Sequence, residues 1–161
     1  MLALVNFSIR GKERQLAGGT VVYLELAPVD PRSLMQGDYM ALRFKIANDA
    51  RPAMKRSASP EATSFFGPRD LAAADGRLVA ALDARSIANY RRLDERQPLA
   101  PDEIYLRYRV REGEMKFATN AYFFQEGTAK RYESARYGEF RVSRDGELLL
   151  TGLRGPDLQP L

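Results

Sequence analysis

Tyr39-Met40-Ala41-Leu42-Arg43-Phe44-Lys45-Ile46 and Ile104-Tyr105-Leu106-Arg107-Tyr108-Arg109-Val110-Arg111 decide the fold class. In the first stretch Met40, Leu42, Phe44 and Ile46 alternate with Tyr39, Ala41, Arg43 and Lys45. In the second, Ile104, Leu106, Tyr108 and Val110 alternate with Tyr105, Arg107, Arg109 and Arg111. A period of two gathers each apolar set on one face of an extended chain, which is the pattern of a half-buried strand. Leu42, Phe44, Leu106 and Tyr108 are therefore expected in the core.

Working outward, residues 21–27 are rich in β-formers and end at Pro28, as a strand ending at a turn does. Residues 78–83 and 87–93 flank Ala84-Arg85-Ser86 and predict a hairpin. Residues 140–143 and 147–151 flank Arg144-Asp145-Gly146, where Asp-Gly between apolar runs is a strong hairpin signal. Residues 48–76 carry Pro52, Pro60 and Pro68 and read as a long, mobile loop inserted at about 49–75. Residues 127–137 hold good helix formers, with Ala129, Tyr132, Ala135 and Arg136 at helical spacing and Thr128 available as a cap. The expectation is a mostly β (β-rich α+β) fold of antiparallel sheets or a partly open barrel, with one short helix near 127–137, in a single domain over 11–161.

The 161 residues give room for one domain with a real core, and 45% hydrophobic with 29% charged residues describes a folded chain. The 25 Lys+Arg against 21 Asp+Glu leave a formal charge of +4. Cys, His and Trp are absent, so no Ser-His-Asp or Cys-His nucleophile and no thiolate or imidazole metal site can be built. No cofactor or metal is implied. Residues 1–9 are apolar and give way abruptly to Arg10-Gly11-Lys12-Glu13-Arg14. They are too short to span a bilayer or to form a secretory signal. From the residues alone they read as a short element covering the core.

Two stretches could carry function. Ala27-Pro28-Val29-Asp30-Pro31-Arg32-Ser33-Leu34-Met35-Gln36-Gly37-Asp38-Tyr39 is an extended loop fixed by prolines and closed by a Gly-Asp turn. Tyr122-Phe123-Phe124-Gln125-Glu126-Gly127, followed by Ala135-Arg136-Tyr137-Gly138-Glu139, places aromatics beside carboxylates at a strand-to-helix junction. There one of Phe123 and Phe124 would fill the core and Glu126 would meet the helix dipole. The two stretches are expected to pack together, joined by at least one Arg–carboxylate bridge.

Residues 28–44, containing Gly37-Asp38-Tyr39-Met40-Ala41-Leu42-Arg43-Phe44, closely resemble the signature of the bacterial GDYXXLXY family, with Phe44 in place of its closing Tyr. The 123–127 and 135–139 blocks and the Asp145-Gly146…Leu153 ending resemble that family too. The resemblance covers the chain except about 49–75 and implies a small membrane-anchored protein with an extracytoplasmic domain, whose activity is unassigned. On that footing residues 1–10 read as the remnant of an N-terminal anchor missing from this chain, at the inner membrane with the domain on its periplasmic side.

The leading expectation is a binding or accessory domain, not an enzyme, working with an integral membrane protein. Its interaction site would comprise Asp30, Arg32, Gln36, Gly37, Asp38, Tyr39, Gln125, Glu126, Arg136, Tyr137 and Glu139. One alternative is a hydrolase built on Ser33 and a Lys of depressed pKa, or on the carboxylates of Asp30, Asp38, Glu126 and Glu139. Lysine occurs only at Lys12, Lys45, Lys55, Lys116 and Lys130, and Lys45 should be solvated. A third reading is anionic lipid or polyanion binding through Arg43, Lys45, Arg107, Arg109, Arg111 and Arg141 on one sheet face. No Gly-rich loop or nucleic-acid motif accompanies those cations, so nucleic acid is not an expected partner.

Overall fold

The structure, a computed structural model, describes residues 12, 16–28, 35–36, 39–57, 71, 73–119 and 121–161. Three sheets, all with antiparallel ladders, make up the β-rich fold expected from the alternating stretches. The first joins β1 (Thr20–Glu25), β9 (Tyr137–Val142) and β10 (Leu148–Arg154) in the order β1-β9-β10. The second, β2-β3-β8, is small and is built from β2 (Met35–Gln36), β3 (Tyr39–Ala41) and β8 (Ala121–Phe123). The third runs β5-β4-β6-β7, with β4 (Ala74–Leu82), β5 (Ala88–Leu93), β6 (Glu103–Arg111) and β7 (Glu114–Lys116). Both expected hairpins form, β4 pairing with β5 and β9 with β10.

The apolar faces of the sheets meet in one core. Leu24, Leu78, Leu106 and Phe140 are fully buried, and Tyr108 packs against the cluster from a half-buried position. Phe44, 4% exposed, stands where the three sheets converge. Its ring meets Phe140 of β9 edge-on at 5.5 Å and Phe117, just after β7, at 6.2 Å. Its backbone bridges Leu26 at the end of β1. Gly138 lies beneath it: a Cβ there would come within 2.9 Å of Phe140 and 3.1 Å of Phe44. A side chain at 138 would drive the rings apart.

Two helical expectations are corrected. The longest described helix is α1 (Lys45–Ser57), in residues read as the end of a strand and the start of a long loop. Met40, Leu42, Phe44 and Ile46 are all buried, as the alternation requires. The chain nevertheless turns helical at Lys45, because Ile46, Ala50 and Met54 form a second apolar stripe at helical spacing. Pro52 sits on the exposed side of α1, as does Asn48 one turn before it, whose carbonyl a proline at 52 cannot reach with an N–H. Arg51 donates to the Gly113 carbonyl at 2.8 Å and ties the helix to the β6–β7 turn. The helix expected over 127–137 is only one turn, α2 (Ala129–Tyr132). Thr128 does not cap it, since its hydroxyl donates to the Gln125 carbonyl at 2.6 Å. Tyr132 and Ala135 are buried as their spacing suggested, but the chain leaves the helix to enter β9.

The β9–β10 hairpin tip locks the first sheet onto the third. Arg107 N–H donates to the Gly146 carbonyl at 2.7 Å, and the Arg107 guanidinium reaches the Asp145 carboxylate at 2.8 Å. Gly146 has φ of +89°, and a Cβ there would lie 2.9 Å from the Tyr105 backbone. Gly146→Ala should therefore lower stability by about 2 kcal/mol or more, from left-handed strain and a backbone clash together. Gly18→Ala, with nothing within 4 Å of the new carbon, should stay within about 0.5 kcal/mol. Urea unfolding of the two variants checks this, and equal midpoints would refute it.

Candidate functional site

Two surfaces concentrate the candidate residues. The first is the small β2-β3-β8 sheet. Tyr39 pairs with Phe123 in the β3–β8 ladder, their rings 5.7 Å apart, so the two sequence stretches expected to pack do so through backbone hydrogen bonds and an aromatic contact. Phe123 is 74% exposed. Its neighbour Phe124 turns inward and stacks on Tyr132 at 5.1 Å, so the core-filling role falls to Phe124. Gln125 and Glu126 are exposed on the turn after β8, where Gly127 takes φ of +80°. Gln36 contributes its backbone to β2, while Asp30, Arg32, Ser33, Gly37 and Asp38 lie outside the described residues, as do residues 1–9.

Arg136, Tyr137 and Glu139 belong to the entry of β9. The Arg136 carbonyl accepts from Leu26 N–H, and the Arg43 carbonyl accepts from Ala27 N–H, both at 2.8 Å. Residues 26–27 thus stitch the signature stretch to the second block. The Arg136 guanidinium folds onto the Ala135 carbonyl at 3.0 Å. The Arg–carboxylate bridge expected between the two stretches is not among the ion pairs of the described residues; the clasp of this block joins Glu139 to Arg154 of β10, whose Nε donates at 2.7 Å. The Thr151 hydroxyl donates to the other Glu139 oxygen at 2.8 Å from a bulge in β10. Glu139 is thereby committed to holding β9 and β10 together.

The six expected cations do not line one face. Arg107, Arg109 and Arg111 share β6, Arg43 reaches Glu114 of β7, Lys45 opens α1 and Arg141 stands on β9. Lys45 pairs with Glu25 at 3.2 Å. That hydrogen-bonded pairing raises the ammonium above its ordinary value, the reverse of what a Ser/Lys dyad demands.

The second surface is a groove of about 850 Å³ between the third sheet and β10. Lys12, Arg77, Arg107, Arg109 and Lys116 supply five cations to its walls against Asp75 and Glu147, and Leu148, Leu149 and Leu150 form an apolar side. Lys12, Arg77 and Lys116 were not among the six cations expected to form a charged face. Lys116 lies on β7, whose two-residue turn, Glu112-Gly113 with φ of +55° and +72°, is a hairpin signal legible in the Gly between charged residues.

A polar strap braces the sheet beside that groove. Residues 94–102 link β5 to β6 and are held to β4 at both ends, Asp94 N–H donating to the Arg77 carbonyl at 3.0 Å and Leu82 N–H to the Asp102 carbonyl at 2.8 Å. Asp94 accepts from Arg96 N–H at 2.9 Å and from the Arg77 guanidinium at 2.7 Å, while Arg77 lies 4.4 Å over the Tyr105 ring. Glu103 binds Arg92 and accepts from Ala100 N–H at 2.9 Å. The Arg96 N–H and then Arg77 hold Asp94 below its ordinary value; Arg92 and then Ala100 N–H do so for Glu103; the Ser143 hydroxyl, then Arg107, does so for Asp145.

The family pattern of GDYXXLXY proteins matches residues 1–153. The chain belongs to the GDYXXLXY family. Neither the curated proteins nor the solved structures contain a match to it. The family signature has a physical reading in this member: Leu42 and Phe44 face the core, and Tyr39 packs on the exposed Phe123. Among the described residues no group of three or more carboxylates is placed to hold a metal ion, and no helix is long and apolar enough to cross a membrane.

The depressed carboxylates set the acid response. A lowered folded-state pKa contributes stability above the unfolded value, about 4, that is lost as pH falls through the folded pKa. Melting temperature should therefore vary little from these groups between pH 7 and 5 and drop below about pH 4. Asp94→Asn should flatten part of that drop, and Glu126→Gln on the exposed turn should not. Thermal melts followed by circular dichroism test this, and identical acid profiles for Asp94→Asn and the parent would refute it.

Proposed function

We propose that this chain is a binding and accessory domain, not an enzyme, displayed on the extracytoplasmic face of a membrane and docking an integral membrane protein through the β2-β3-β8 sheet. The single observation that carries the docking role is Phe123, 74% exposed beside Tyr39 on the edge strand of a three-stranded sheet. Burying such a ring under a partner is worth about 1.5–3 kcal/mol, and aromatic side chains at the centre of an interface are typical anchors. Edge position adds backbone groups on β8 that a partner strand can pair. Gln125 and Glu126 border the aromatic patch and supply a polar rim. The membrane setting rests on the family resemblance of the signature and on the apolar residues 1–9.

The alternative of a Ser/Lys hydrolase is disfavoured by Lys45, which is solvent-exposed, bound to Glu25 and held protonated. Cross-linking tests the docking role. A photoreactive amino acid at position 123 of the full-length protein, in its native membranes, should give a single dominant adduct with a membrane protein. The same probe at exposed Arg85 should not. Phe123→Ser should abolish co-purification of that partner while lowering stability by no more than about 1.5 kcal/mol, the worth of the lost Tyr39 ring contact. Equal adducts at 123 and 85, or undiminished capture by Phe123→Ser, would refute the proposal.

A further inference from the structure

The cations of the groove are arranged against their own electrostatics. The β4–β6 register sets Arg77 opposite Arg107, and the β6–β7 register sets Arg109 opposite Lys116. Like charges directly opposite in a ladder repel, and such pairs persist where counter-charges are supplied. For the first pair they are: Arg77 has Asp94 at 2.7 Å and Arg107 has Asp145 at 2.8 Å. Arg111, next along β6, has Asp75 at 2.8 Å.

The second pair differs. Arg109 spends one nitrogen on the Ala118 carbonyl at 2.7 Å; Asp75 stands opposite it in the β4–β6 register, but its carboxylate is bound to Arg111 at 2.8 Å. Lys116 is mostly covered and only grazes Glu112, itself almost fully exposed, at 3.5 Å. Arg109 and Lys116 thus stand as neighbouring cations in a groove where five cations meet two carboxylates, Asp75 and Glu147. Tyr108, whose hydroxyl a Cβ on Gly76 would meet at 2.6 Å, also lines the groove. Leu148, Leu149 and Leu150 border the groove; Leu148 and Leu150 also belong to the core, which leaves Leu149 as the leucine on the opposite face of β10.

We infer that the groove binds a phosphomonoester, its oxygens shared between the Arg109 guanidinium and the Lys116 ammonium. Guanidinium presents a planar fork to phosphate oxygens, and ammonium adds a compact charge. The site lies on the third sheet and does not depend on docking through Phe123. Free phosphate and the headgroup of an anionic lipid offer the same chemistry, and Leu149 bears only on the second.

Calorimetric titration of the full chain at low salt separates them, with inorganic phosphate, dihexanoylphosphatidic acid and dihexanoylphosphatidylcholine as probes. The first two should bind, and the zwitterionic third at least tenfold more weakly than phosphatidic acid. Equal affinity for the first two supports a free phosphate site; at least tenfold preference for phosphatidic acid supports a lipid headgroup with chains along Leu149. Arg109→Gln and Lys116→Gln should each weaken binding at least tenfold, whereas Arg43→Gln, outside the groove, should change it less than twofold. Circular dichroism should show both groove variants folded like the parent, so that lost binding is not lost structure. Absence of binding by phosphate and phosphatidic acid alike, or undiminished affinity in both groove variants, would overturn the inference.

Discussion

Everything in this fold depends on where the Phe44 ring is allowed to sit. It follows the strand of the smallest sheet, opens the way into α1, bridges to the end of β1 and packs between Phe140 and Phe117. Truncating such a ring typically costs about 3–5 kcal/mol, a large share of the stability of a domain this size. Gly138 is its complement, a strand position whose missing Cβ leaves space for two rings at once. The signature residues Leu42 and Phe44 and the glycine of the second block are in this sense parts of one packing solution. The Glu139–Arg154 clasp next to Gly138 holds the strands that frame it.

What was legible in the sequence was whatever a local pattern determines. The Asp145-Gly146 turn and the Ala84-Arg85-Ser86 turn join strands adjacent in the chain, so period and turn chemistry sufficed. Alternation over 104–111 located β6 with both Leu106 and Val110 fully buried. The same alternation was misleading at Lys45, because Ile46 satisfies a strand pattern with Phe44 and a helix pattern with Ala50. Pro52 argues against a helix unless it is known to sit on the exposed side of one. The β3–β8 ladder joins Tyr39 to Phe123 and leaves no local trace, so the exposure of Phe123 rather than Phe124 emerges only from the tertiary arrangement.

Charge gives a similar contrast. An arginine-rich strand was visible, but the sequence does not say which arginines meet carboxylates. Asp94 and Asp145 come from a strap and a hairpin tip, and they neutralise Arg77 and Arg107. Selective neutralisation is what distinguishes Arg109 and Lys116 from their neighbours. The +4 formal charge of the whole chain conceals this local imbalance.

The position of β1 has a consequence for how the chain comes into being. Thr20–Glu25 finds its ladder only in β9, with Thr20 opposite Val142. At about 5–20 residues per second, ribosomal synthesis leaves Val22 and Leu24 without their partner strand for several seconds or more. The β4–β7 meander, by contrast, pairs neighbours and can assemble as it emerges. Loop closure over such a span is slow even after release. Synthesis of this protein therefore includes an interval in which an apolar, β-forming segment waits uncovered.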